Sequence, residues 1–444
     1  MTDPRSAAIC MAKGEPVAVG RPRILNAELQ SLPGTGTRSP SLSRSLSLWH
    51  ATLYGLGVTI GAGIYVLIGA AAARAGMHAP LAFVAAAGMM SLSAASFAEL
   101  ACRFPVAAGE AAYAREAFGS DKIATAVGLL VVAIAIVSAA AISIGSAGYL
   151  AVFLPLPKWV LVAAVVLTMG TVAVWGVKQS VTFAGVMTLI EIGGLLLLVA
   201  AGVTSDAPIV ARLPEIVPGA TDWALLAGLV GTTLLAVFAF IGFEGLANVA
   251  EEVRDPKRNL PRAIFLTLVI STLLYVCVVW IALVAVGHAD LARSDAPLAL
   301  VFERLTGLSP RSMSFIALIA TLNGIIVQII MSSRVLYGLA RQGDLPAAFG
   351  AVGTKTHTPV VATAVTTALV LALAWALPLH DLAEVTARLT LVVFAVVNVS
   401  LIRIKRRPMP PPPGIFEAPI WVPWAGAAVC IVLLVLDAAT KLWL

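Results

Sequence analysis

The chain has 444 residues, of which 60% are hydrophobic and 12% charged, with a mean hydropathy of +0.97. A soluble domain is roughly 45–50% apolar and about 25% charged, and so few charges cannot cover the surface of a soluble fold this long. A soluble enzyme, a nucleic-acid-binding protein and a disordered scaffold are therefore excluded, and a polytopic membrane protein remains. The net charge of +6 reads as basic loops beside a membrane, not as a nucleic-acid footprint. Cys10, Cys102, Cys277 and Cys430 form no C-x-x-C pair, so neither a disulfide framework nor a metal site is expected.

Residues 1–47 carry no apolar run of signal-peptide type, and their Gly-, Ser- and Arg-rich stretch at 34–45 reads as a disordered tail. Eleven stretches then reach the roughly 20 apolar residues that a bilayer-crossing helix needs. They lie near 51–73, 80–101, 123–154, 159–176, 181–203, 223–250, 261–287, 312–341, 359–378, 381–404 and 419–442. Their length excludes barrel strands, and backbone satisfaction in lipid makes the class all-α. With the N-terminus cytoplasmic, the inner loops hold 14 Lys and Arg and the outer loops 7. That bias predicts the N-terminus inside a cytoplasmic (inner) membrane. The proline run 410–413 reads as a stiff linker between a ten-helix core and an added helix.

Two spans are unlike the others. The first contains Gly55, Gly57, Gly61 and Gly63, and the sixth runs Phe238-Ala-Phe-Ile-Gly-Phe-Glu-Gly245. Each glycine weakens a helix interior by about 1 kcal/mol relative to alanine, which points to close packing, as on a GxxxG-type face at Gly57 and Gly61, or to a break. The two spans lie five apart, an odd number, so one is inverted relative to the other, and glycine-interrupted spans at matching places mark a transporter site. A broken helix frees N–H groups that suit a carboxylate and carbonyls that suit an ammonium. Together these fit a zwitterion such as an α-amino acid.

Four blocks carry a family likeness. They are residues 55–69 (GLGVTIGAGIYVLIG); 97–105 (FAELACRFP) with 108–113 (AGEAAY); 240–244 (FIGFE) with 250–256 (AEEVRDP) and 259–262 (NLPR); and Asn323, Gln328 and 333–341 (SRVLYGLAR). Through them the chain resembles the amino acid–polyamine–organocation (APC) transporter superfamily over about residues 45–404. Within it the chain is most similar to bacterial permeases related to cationic amino acid transporters. The resemblance implies a leucine-transporter-like 5+5 inverted repeat with broken helices 1 and 6, divided as 48–204 and 205–407, with 408–444 as linker and extra helix. It implies a carboxylate held at Ile60, Gly61, Ala62 and Gly63, and an amino group held by carbonyls of Phe238, Ala239 and Ile241. Phe240 and Phe243 would gate or line the pocket. Spans 1, 2, 6 and 7 would rock against spans 3, 4, 8 and 9.

Carboxylates inside a membrane are functional candidates by default. Glu244 follows the expected break; it either fixes the break through a backbone N–H or carries a proton or a cationic part of the substrate. Glu191 stands where many relatives have a lysine, a departure that puts lysine-based coupling in doubt. Glu191 either sets ion coupling, with Ser332 and Ser333 as further ligands, or is a buried acid paired with Arg334. Glu99 and Arg103 are spaced for an i,i+4 ion pair. Residues 251–258 read as a solvated inner loop or an inner gate. The histidines fall at span ends and loops.

The expectation is a secondary active transporter for an amino acid, neutral and apolar ahead of cationic, working by alternating access with proton symport or exchange. A proton stands ahead of sodium as coupling ion; membrane lipid surrounds the chain, and no cofactor, metal, nucleic acid or enzymatic motif is expected. The alternatives are a transporter-like amino-acid receptor or assembly subunit, a polyamine or organic amine permease, and a passive channel.

Overall fold

The computed structural model describes residues 46–105, 109–175, 181–219, 223–354, 356–408 and 410–443, with the backbone alone at 62, 181–184, 248, 251 and 443. The tail up to residue 45, Lys178, Lys355 and the Ala62 side chain lie outside the described residues. Nine described stretches are long and apolar enough to cross a bilayer. One of them, Gly63–Arg103, runs through the turn at Gly76 and so holds parts of two helices, while a tenth apolar helix, Val360–Ala376, is 17 residues long.

The eleven expected spans are found as α1 (Leu48–Ala75), α2 (Ala79–Arg103), α4 (Asp121–Ala151), α5 (Lys158–Trp175), α6 (Val181–Thr204), α7 (Trp223–Phe240), α9 (Pro256–Val286), α12 (Arg311–Gln342), α13 (Val360–Ala376), α14 (Leu379–Lys405) and α15 (Trp421–Trp443). Short helices fill the connections: α3 (Gly109–Phe118), α8 (Gly245–Asn248), α10 (His288–Arg293) and α11 (Pro297–Thr306). The chemistry of the ends is local. Ser47 caps α1 by accepting a bond from the His50 N–H, Pro256 opens α9, and α12 stops at Gly343, where φ is 88°.

Two groups of helices pack among themselves. In one, α1 and α2 pack on each other and on both α7 and α9, with Tyr275 of α9 bonded to Ala239 of α7; in the other, α4, α5, α12 and α13 all touch. α14 packs on α4 and carries α15, which also lies along α2. Aromatic rings fill the first group: Tyr275 meets Phe240 at 5.2 Å and Phe83 at 6.0 Å between centroids. Phe97, Phe243 and Phe394 form a second set, with centroids 5.1–6.0 Å apart. At the face where α1 begins, Leu46 forms an isolated parallel bridge with Val253. The Leu46 N–H donates to Glu252 O at 3.0 Å, and the Arg254 N–H donates to Leu46 O at 2.8 Å. This ties the expected inner loop 251–258 to the entry of α1.

The expected break in the first span is absent: α1 is one continuous helix from Leu48 to Ala75. Its glycines serve close approach instead. A Cβ at Gly63 would overlap the Ala239 backbone, one at Gly57 the Thr188 hydroxyl, and one at Gly55 would lie 2.5 Å from Thr267 Oγ1. A cost of about 1 kcal/mol per glycine is small beside the packing such contacts allow. The second break is present: α7 ends at Phe240, residues 241–244 form turns, and α8 resumes at Gly245.

Candidate functional site

The interruption is held open from three sides. Gly242 has φ of 134°, a conformation that L side chains rarely adopt. A Cβ there would sit 2.8 Å from Thr59 N and from Val58 C, so α1 and the interruption touch backbone to backbone. The Glu244 carboxylate folds back and accepts the Gly242 N–H at 2.8 Å, the break-fixing role open to it from sequence. Where the helical ladder stops, Tyr275 supplies a donor: its hydroxyl lies 3.0 Å from Ala239 O and 2.8 Å from Thr59 O. Phe238 O accepts the Ile241 N–H at 3.2 Å. Two of the three carbonyls expected to receive an ammonium are thus engaged within the protein. Phe240 and Phe243 are fully buried, packed on Tyr275 and on Phe97 and Phe394.

Glu191 lies against the glycines of α1. A Cβ on Gly61 would be 3.3 Å from both of its carboxylate oxygens and 3.1 Å from Ala320 O. Asn323 Nδ2 donates to Glu191 Oε1 at 3.1 Å, whereas Oε2 is buried without a partner among the described residues. The two expected companions are elsewhere. Ser332 Oγ bonds to Ile329 O at 3.1 Å and Thr366 Oγ1 at 3.3 Å, and Ser333 Oγ to Ile330 O at 2.9 Å. At 1.5 Å per residue these serines stand roughly 14 Å further along α12 than Asn323, which is why they do not meet Glu191. The expected partner Arg334, on the same far turn, is replaced by Asn323. A second tyrosine relay braces this region: Tyr149 donates to Tyr65 O at 2.5 Å, and Tyr65 to Glu191 O at 2.7 Å.

A small, partly open cavity of about 40 Å³ lies directly beside the interruption. Its wall takes Ile241, Gly242 and Glu244 from the interruption, Gln328 from α12, Phe394 from α14, and Glu110 from α3. Val58, Val131, Ile134, Met331 and Val393 make most of the remaining surface apolar. Gln328 Oε1 is buried without a partner among the described residues. Glu110 sits outside the spans, and burial pushes its carboxyl above the usual carboxylate range. Sequence reasoning quoted Glu110 only as part of a motif; nothing in its spacing placed it beside Glu244.

Two ionic knots were also beyond sequence reasoning. Buried Glu99 does pair with Arg103 at 2.7 Å, as its spacing predicted. It also binds Lys405 at 2.8 Å and accepts the Ala418 N–H at 2.8 Å, joining α2, α14 and the linker. At the opposite face buried Glu384 binds Arg74, Arg388 and Lys441, and Arg388 also binds Asp437. Arg74 and Lys441 thus clamp α1 and α15 to α14.

Comparison with known proteins decides the family. The model of the family described as "Amino acid permease" matches residues 46–439. The chain belongs to the amino acid permease family. The chain is 27% identical over 428 residues to the "Branched-chain amino acid permease BcaP" of Bacillus subtilis, covering 88% of this chain and 87% of that one. It is 28% identical over 426 residues to the "Methylthioribose transporter" of the same organism, covering 89% and 88%. It is also 28% identical over 399 residues to the "Cationic amino acid transporter 2, vacuolar" of Arabidopsis thaliana, covering 83% of this chain and 60% of that one. This permease is therefore a multi-pass membrane protein of amino acid transport, of the all-α APC type.

Proposed function

We propose that the permease moves an amino acid by alternating access, through a site made where α1 and the interruption 241–244 part. The observation that carries the reading is the backbone contact of Gly242 with Val58 and Thr59. It joins two glycine-rich segments beside a small cavity. In this reading the substrate carboxylate takes the Ile60–Gly63 segment once α1 opens there, and the ammonium takes the carbonyls of Phe238, Ala239 and Ile241. Phe240 and Phe243 close over it. The packing of α1, α2, α7 and α9 as one group and α4, α5, α12 and α13 as another supports a motion of one against the other. The excess of Lys and Arg at the face holding Leu46 and Lys405 supports a cytoplasmic side there.

The aliphatic wall of the cavity favours a neutral, apolar side chain, the class named for the branched-chain relative. Glu110 and Glu244 in the same wall favour a second reading, a cationic side chain of the kind named for the plant relative. Coupling is assigned to Glu191, whose unpartnered oxygen faces Gly61: a proton bound there would travel with the state of α1.

Purified permease in liposomes, offered labelled leucine and labelled arginine, tests the reading. A pH gradient, a sodium gradient or internal unlabelled amino acid would supply the drive. Leucine uptake driven by the pH gradient is expected. Arginine uptake alone would select the second reading, drive by internal amino acid alone would make the permease an exchanger, and no uptake would overturn transport. The Glu191→Gln variant is expected to lose the response to the pH gradient; an unchanged response would remove Glu191 from coupling.

A further inference from the structure

A groove of about 550 Å³ runs between the first two turns of α9 and the linker that leads into α15. Lys257, Arg258 and Arg262 line it from α9, with Asp255 as the one acid in its wall. Arg258 and Arg262 are one helical turn apart and exposed, and neither takes part in an ion pair among the described residues. Like charges at this spacing repel each other, so the helix gains nothing from the pair. The opposite wall is apolar, formed by Pro413, Ile415 and Phe416. It is fixed in place: Lys257 Nζ donates to Pro413 O at 3.1 Å, and the Phe416 ring meets Phe265 of α9 edge-on at 5.8 Å.

The level of the groove identifies its surroundings. It lies at the ends of two apolar spans, Pro256–Val286 and Trp421–Leu442. Trp421 and Trp424, 61% and 49% exposed, stand just beyond the linker. Exposed tryptophans at the end of a span mark the headgroup layer of a bilayer. The guanidinium of Arg406 lies 5.1 Å from the Trp424 ring at the same level.

We propose that this groove binds an anionic phospholipid, with the phosphate between Arg258 and Arg262 and the acyl chains along Ile415 and Phe416. A cationic wall facing an apolar one at headgroup depth complements a molecule that is anionic at one end and apolar at the other. A soluble phosphate would use only the cationic wall. A general excess of basic loop residues explains the charges but not the apolar facing wall. The bound lipid joins α9, the helix that follows the interruption, to the linker and so to α15.

Two measurements on the full chain test the site: lipid adducts counted by native mass spectrometry, and thermal unfolding in nanodiscs of phosphatidylcholine with or without phosphatidylglycerol. The wild type is expected to retain phosphatidylglycerol and to melt several degrees higher when it is present. The double variant Arg258→Gln, Arg262→Gln is expected to lose the shift and most of the adducts. A control of equal charge loss at exposed sites elsewhere, Arg304→Gln with Arg311→Gln, is expected to keep both. Retention of adducts and shift by the first variant, or equal loss in the control, would overturn the proposal. Inorganic phosphate reproducing the shift in phosphatidylcholine discs would also overturn it, in favour of a soluble anion.

Discussion

At Gly242 a single hydrogen atom decides whether two helices can touch. A methyl group there meets a strained backbone angle and the Thr59 and Val58 backbone at 2.8 Å. Gly242→Ala is expected to destabilise the fold by about 1–3 kcal/mol and to lower uptake severalfold, read by thermal unfolding and by liposome transport. A stable, fully active variant would show that the interruption and α1 separate freely at this point. Glu110 makes a different prediction. Burial raises its pKa in the folded chain above the ordinary carboxyl value, so the folded state binds this proton more tightly than the unfolded one. Its contribution is then most favourable below about pH 4.3 and is lost as pH rises toward the raised folded value. Glu110→Gln should flatten that part of the melting-temperature profile; an unaltered profile would show that the group ionises freely in the fold.

Among the elements, the most exposed weakness is the attachment of α15. Glu384 is buried, while its partners Arg74, Arg388 and Lys441 have side chains 28–52% exposed. The network falls between a surface pair worth under about 1 kcal/mol and a buried pair whose breaking costs about 3–5 kcal/mol. Glu384→Gln is therefore expected to cost about 1–3 kcal/mol and to speed hydrogen exchange in α15 and the first turns of α14. Exchange confined to the substituted turn would show that packing alone holds α15. This knot was not legible beforehand. Positions 74, 384, 388, 437 and 441 look like scattered charges until three helices bring them together. The helices themselves were legible, because twenty apolar residues in a row have few other uses. The continuity of α1 was not, since a glycine that admits a neighbour's backbone and one that lets a helix unwind are the same residue in a sequence. Glu191 was singled out in the sequence, but its neighbour in the fold is Asn323 and not Ser332, because the register of α12 against α6 has no sequence signature.

Across the whole molecule, the two helix groups meet where α1 packs on α12 and α4, whereas one fastening within the first group is small. Leu46 and Val253 meet through two backbone hydrogen bonds, at the point where the chain enters α1 and where the interrupted helix ends. Each such bond is worth on the order of 1 kcal/mol net, so the pair contributes roughly 2 kcal/mol, or a ratio of about thirty between fastened and loose forms. A latch of that strength keeps the two ends together most of the time, yet lets thermal motion release them without help from a bound nucleotide or any other fuel. Because it grips the residue next to the tail, a protein or membrane surface that captured the tail would pull on the segment after Gly242 as directly as on α1.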